Sequence, residues 1–157
     1  GGDQPKVRSI FYEGLGGVRQ ALWYHLDEMR GKQFVGFYAS PHEAAEGFEA
    51  LSVDWNEELL KKRITIRGVV PDHPSLSEWR NRDNKYGHTM KIIPYESYSA
   101  VNSIEVGDTF VRILAFRDLQ AVIIENPDVA RTVRQIFEMM WRIVPENGSV
   151  EDAAGLS

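Results

Sequence analysis

Apolar and polar positions along this chain change period several times, and each change marks an element. Residues 7–12 (VRSIFY) alternate, with Val7, Ser9 and Phe11 on one side and Ile10 and Tyr12 on the other, which predicts a short strand. Glu13-Gly14-Leu15-Gly16-Gly17 ends it and opens a helix on which Val18, Leu22, His25, Leu26 and Met29 share a face, with Gly31 placed to close it. Residues 33–39 (QFVGFYA) are almost continuously apolar, as a strand covered on both faces should be. Ser40-Pro41-His42-Glu43 has the form of a capping box with Pro at the first helical position, and Ala44, Phe48, Leu51, Trp55 and Leu59 follow at helical spacing. Lys61-Lys62-Arg63 puts cations at the negative end of that helix.

Residues 64–70 (ITIRGVV) predict a third strand, and Ser75-Leu76-Ser77-Glu78 a second capping box before a short polar helix anchored by Leu76 and Trp79. Residues 89–95 predict a fourth strand that Pro94 ends or keeps at a sheet edge. In residues 101–144, Val106, Phe110, Ile113, Leu114, Phe116, Val122, Ile123 and Ile124 form strand-like runs separated by turn residues. Asn126 then stands as an N-cap with Pro127 behind it, and Val129, Val133, Ile136, Phe137, Met140 and Val144 make one apolar stripe. Strands alternating with helices imply right-handed parallel crossovers. The expected fold is therefore α/β: a mixed, mostly parallel sheet flanked by helices, with a C-terminal β-meander and a long terminal helix. One domain is expected over residues 7–145, between a loose leader (1–6) and a polar, acidic tail (146–157).

Charge and composition narrow the function classes. A net charge of −5 and a pI near 5.4 argue against gripping a phosphate backbone by bulk electrostatics. The absence of cysteine excludes disulfides and thiolate metal sites and favours a reducing compartment. No apolar run approaches a membrane span and no signal peptide opens the chain, so a cytoplasmic protein with no membrane partner is expected. The start at Gly1-Gly2-Asp3, without Met, suggests an excised domain or a tag remnant.

Candidate chemistry follows from position. His25, His42, His73 and His88 show no metal-ligand spacing, so no metal and no cofactor are expected. The run from Trp79 to Lys85 reads as a solvated helix face rather than a nucleic-acid contact. In open α/β sheets ligands collect at the carboxyl ends of the strands. That rule selects Tyr12, Glu13, Tyr38, Ser40, Asp72 and Glu125 as a shared ligand pocket, although Ser40, with Ser75 and Asn126, also reads as a cap and Asp72 as a turn residue. Carboxylates with tyrosines suit hydroxyl-rich or cationic ligands, while the helix starts near Gly16 and Pro41 suit an anionic group.

Taken in order, the segments YEGLGG, FVGFYASP, RITIRGVVPD, VNSIEVGDTFVRILAF and QAVIIENPDVARTVRQIFEMMW give the chain a family look over residues 7–144. It resembles the C-terminal effector domain of TrmB-type transcriptional regulators, which is itself similar to one half of a phospholipase D fold. The resemblance implies a regulator in which an N-terminal winged helix-turn-helix binds DNA, a helical linker dimerises, and this domain senses a small molecule such as a sugar. No helix-turn-helix precedes Val7, so DNA contact is expected only through a missing N-terminal domain, and a homodimer is expected in the parent. Phospholipase D enzymes carry His-x-Lys-x(4)-Asp on the matching strand. That alignment places Val101, Ser103 and Gly107, or a neighbouring trio, in those positions, and no residue from Val101 to Asp108 is His or Lys. A phosphohistidine mechanism has no nucleophile here. The expectation is a catalytically inert effector-sensing domain, with no catalytic residue; the alternatives are a diverged phospholipase D-like hydrolase, or a ligand-free dimerisation or docking module.

Overall fold

The alternating and helical segments condense into β1 (Arg8–Glu13), α1 (Gly14–Trp23), β2 (Gln33–Phe37), α2 (Phe48–Lys61), β3 (Thr65–Asp72), α3 (Leu76–Tyr86), β4 (Thr89–Pro94), β5 (Asn102–Val106), β6 (Phe110–Ala115), β7 (Gln120–Glu125) and α4 (Pro127–Trp141). This computed structural model describes residues 6–146, without the side chains of Pro41 and residues 77–81. Most of the expected leader and tail, and the Trp79 side chain, lie outside the described residues.

All seven strands join one sheet in the order β1-β7-β6-β5-β2-β3-β4. The expectation of a mostly parallel sheet is overturned. Only β2–β3 and β3–β4 pair in parallel, whereas β1–β7, β7–β6, β6–β5 and β5–β2 are antiparallel. The reason lies in the first strand. β1 does not lie beside β2 but docks on β7 with Arg8 opposite Glu125, and the meander β5–β7 fills the space between β1 and β2.

The sheet separates two cores. On one face Val18, Ala21 and Leu22 of α1 and Phe48, Leu51, Trp55 and Leu59 of α2 pack on Phe34, Ile66, Phe110, Leu114 and Ile123. On the other, α4 lays Ala130 and Phe137 against Val35, Val106 and Val111. Asn126 caps α4 as expected, its Oδ1 accepting from the backbone N–H groups of Asp128 and Val129 at 3.0 and 2.9 Å. Of the expected stripe, Ile136 turns away and is 55% exposed. At the other end of α4 the buried Lys91 donates to the carbonyls of Trp141 (2.8 Å) and Val144 (2.7 Å), pairing oxygens that the helix leaves unbonded.

Two expected helices differ in extent. α1 stops at Trp23; His25 takes a left-handed backbone (φ 47°), and a 3₁₀ turn at Asp27–Met29 carries the chain on to Gly31 (φ 74°). Neither predicted capping box forms. Ser40 precedes a 3₁₀ turn (Pro41–Glu43), and α2 starts only after Gly47, which takes φ 89°. Ser75 adopts a helical backbone and its side chain makes no cap bond. In both cases the hydroxyl is held elsewhere.

A candidate ligand cavity with a polar floor

Between the sheet and α2–α3 lies a cavity of about 430 Å³. Its walls are largely apolar, with Phe48, Trp55, Ile66, Leu76, Ile92 and Phe116 among them. The floor is not. Glu105 of β5 and Arg112 of β6 face each other in register across the antiparallel pair, and both are almost wholly buried. Their carboxylate and guanidinium form an ion pair. Arg112 also donates to the carbonyl of Ala21 at 2.9 Å, at the end of α1, and lies within cation–π range of Phe34, Trp55 and Phe110. The second carboxylate oxygen of Glu105 accepts a hydrogen bond from the Tyr38 hydroxyl.

Tyr38 reaches that oxygen because two glycines let its ring lie along the sheet. A Cβ on Gly36 would stand 2.5 Å from Tyr38 Cζ, and one on Gly68 would stand 2.5 Å from Cε2. Any side chain at either position would push the ring off the sheet and break the link to Glu105. Burial, and then the charge of Glu105, push the Tyr38 hydroxyl well above its ordinary range, so it remains a donor at neutral pH.

A second polar strand of the wall comes from α2 and the start of β4. His88 Nε2 lies 2.7 Å from Asn56 Oδ1, and the Asn56 amide donates to the Ser52 carbonyl at 2.9 Å. Since that amide orientation makes Oδ1 the acceptor, Nε2 carries the proton and Nδ1 is an acceptor, buried without a partner. Burial pushes the His88 pKa down to about 4, so the ring is neutral at physiological pH.

At the rim, two residues that line the cavity, Ala39 and Leu76, are chain neighbours of Ser40 and Ser75. Ser40 Oγ lies 3.0 Å from Ser75 Oγ and 2.8 Å from His42 Nδ1, and Ser75 Oγ lies 2.8 Å from His73 Nδ1. The His42 and His73 rings stack at 4.1 Å and 16°. These contacts take the two hydroxyls expected to cap helices.

The six residues selected from sequence are dispersed. Tyr38 lines the cavity and Ser40 sits at its rim; Asp72 is exposed at the end of β3. Tyr12 and Glu13 share that end of the sheet but lie on β1, four strands from β2, roughly 19 Å at the usual strand spacing. Glu125 ends an antiparallel strand and lies opposite Arg8, at the other end of the sheet. There its Oε1 accepts from Tyr24 at 2.8 Å and lies 3.3 Å from His25 Nδ1. Burial, followed by Glu125, pushes the Tyr24 hydroxyl up to about 12. Glu105, Arg112, Asn56 and His88 escaped the sequence reading. The available signal was Val111-Arg112-Ile113, a lone charge between β-branched residues in the middle of the meander. Among the described residues no cluster of three or more His, Cys, Asp or Glu could hold a metal ion, and no helix is long and apolar enough to cross a membrane.

Two outcomes follow from this chemistry. Arg112→Met leaves Glu105 buried without its cation and should cost about 3–5 kcal/mol in urea unfolding. The double variant Glu105→Gln/Arg112→Met should recover much of that loss. If the single variant matches the parent protein, the ion pair does not organise the core. For His88, the folded pKa near 4 lies below the unfolded value near 6.5, so the unfolded chain binds the extra proton between them. Stability should therefore fall as pH drops from 6.5 towards 4, by about 2–3 kcal/mol from this group. His88→Gln, which can still donate to Asn56, should show a shallower fall in the urea midpoint over that window.

Neither a family model nor a curated protein matches the chain. Solved structures do. The fold is similar to that of Nuc from Salmonella typhimurium, a phospholipase D family member, with TM-score 0.63, 14% identity, 91% of this chain covered and 98% of that one. NucT from Helicobacter pylori follows with TM-score 0.55 and 7% identity, over 87% of this chain and 97% of that one. TrmBL2, an archaeal chromatin protein, has TM-score 0.50 and 11% identity over 93% of this chain, which spans 56% of the TrmBL2 chain. At these identities the likeness is one of fold: a phospholipase D-like sheet shared with a TrmB-like protein.

Proposed function

We propose that this domain is a non-catalytic binding module whose cavity takes a small molecule with an apolar body. The observation that carries the reading is a preformed space of about 430 Å³ with apolar walls, set over polar groups that already satisfy one another. Glu105, Arg112 and Tyr38 need no ligand to pay for their burial. The unpaired His88 Nδ1 offers an acceptor for one ligand N–H or O–H. A sugar would have to find partners for its hydroxyls among the lesser polar part of the wall, such as Ser52, Asn84 and Ser103, and each hydroxyl left without one costs about 1–3 kcal/mol. An apolar effector answers the wall chemistry better than the sugar expected from sequence. In a longer TrmB-like regulator, such a ligand would act by binding one arrangement of the protein more tightly than another. DNA contact would lie outside this domain. The fold shared with TrmBL2, an archaeal chromatin protein that binds DNA, supports placing this domain in a DNA-binding protein.

The reading is tested with 1-octanol as a probe. At about 100 times its dissociation constant it should add about 2.7 kcal/mol of stability, a rise of a few degrees in melting temperature. Ile92→Trp, which fills the space, should abolish the rise. No shift at saturating octanol would sink the proposal.

A second reading is a diverged phospholipase D-like hydrolase. It is favoured by the fold shared with Nuc and NucT and by the serine–histidine contacts at the ends of β2 and β3. In this case bis(4-nitrophenyl) phosphate should be hydrolysed at least about 100-fold faster than in buffer, and His42→Ala should remove that rate. A rate equal to buffer removes the support for this second reading.

A further inference from the structure

We infer that Ser40, His42, His73 and Ser75 form an oxyanion-binding head beside the cavity, so that its ligand is an amphiphile bearing a carboxylate or phosphate on an apolar body. This rests on the cavity reading above and adds the class of ligand.

The hydrogen bonds run one way through the cluster. The Ser75 backbone N–H donates to His73 Nδ1 at 3.1 Å, so that nitrogen is an acceptor and the His73 proton sits on Nε2. The Ser75 hydroxyl, 2.8 Å from the same nitrogen, donates to it as well. With Ser75 donating, the remaining contacts are satisfied when Ser40 donates to Ser75 and His42 donates to Ser40 through Nδ1–H. Both Nδ1 atoms are thus turned onto the serine pair and both Nε2 atoms face away from it, that of His42 lying 3.8 Å from Glu43 Oε1. His73 offers an N–H at Nε2. His42, already protonated on Nδ1, becomes a cation with a second N–H when Nε2 also takes a proton.

Parallel stacking decides what that pair can hold. Two imidazoles in planes about 4 Å apart cannot both aim an in-plane lone pair at one metal ion some 2.0–2.1 Å from each. Two N–H groups in such planes can each serve a different oxygen of one oxyanion. Among the described residues, other groups stand near the cluster. Glu43 Oε1 lies 3.8 Å from His42 Nε2, and its other oxygen is paired with Arg117. Asp72 is exposed, and the Tyr95 ring lies 5.6 Å from His73. Each serine sits one residue from the cavity wall at Ala39 or Leu76. In this proposal an acyl chain lies in the cavity and its head reaches past Ala39 and Leu76 to the histidines.

The test is calorimetric titration of the chain with octanoate, octyl phosphate and 1-octanol, which share a tail and differ in head. An oxyanion head should bind at least about tenfold tighter than the alcohol, the effect of a charge-assisted hydrogen bond. In His42→Asn/His73→Asn, the shorter side chain can still meet its serine but has lost Nε2. That variant should bind the alcohol unchanged and lose the preference for the anion. His73→Asn alone should lose at least about threefold of it, should the double variant fail to fold. Equal binding of anion and alcohol, or a preference that survives in the variants, overturns the oxyanion head while leaving the cavity reading intact. Binding of none of the three overturns both. The stronger of octanoate and octyl phosphate identifies the head.

Discussion

The ion pair between Glu105 and Arg112 is the constraint on which one half of the molecule depends. Two charges taken from water cost several kcal/mol each, and geometry has to return that. Here it does so by joining elements that are distant in sequence. Arg112 reaches from β6 to the carbonyls that end α1, where a cation also answers the helix dipole. Trp55 of α2 donates its indole N–H to one of the same carbonyls, at Leu22. Glu105 binds Tyr38 on β2. A sheet and two helices therefore share one polar knot, and Glu105, Arg112 and Tyr38 line the space between sheet, α2 and α3.

The opposite face is held by a different device. Arg67 of β3 forms an ion pair with Glu138 while its guanidinium lies 5.2 and 5.1 Å from the Phe137 and Trp141 rings. Lys91 of β4 sits 4.0 Å from the Trp141 ring and bonds the last carbonyls of the helix. Two cations from the parallel strands thus orient the end of α4, and Asn126 orients its start. That division leaves the outward face of the helix with Ile136, Met139 and Ile143 exposed.

What could be read from sequence was what depends on neighbours along the chain. Asn126-Pro127 marks a helix start by side-chain and ring geometry alone, and the alternation of residues 7–12 marks a strand wherever it docks. The docking itself was not legible. β1 carries the same local pattern whether it lies beside β2 or at the far edge on β7, and only the assembled meander decides. The same gap hid the site. Ser40 and Ser75 stand in capping-box sequences, yet their hydroxyls find each other and two histidines across the ends of β2 and β3. Glu105 and Arg112 alternate with apolar neighbours as solvent-facing residues would, and only pairing across β5–β6 makes them internal. Glu125 ends a strand as the reading supposed, but which end of the sheet it occupies is set by an antiparallel partner.

The pairing of β1 with β7 also bears on how the protein is made. More than a hundred residues separate the two strands, so during synthesis β1 leaves the ribosome long before the strand that will hold it exists. β2, β3 and β4 can meet through short crossovers, while closing the β1–β7 loop costs conformational entropy before any contact repays it. The earliest of these seven strands in the chain is then among the last to be placed. Until then it is an unpaired segment with Phe11, which stays largely exposed in the folded domain, open to the solvent and to other chains.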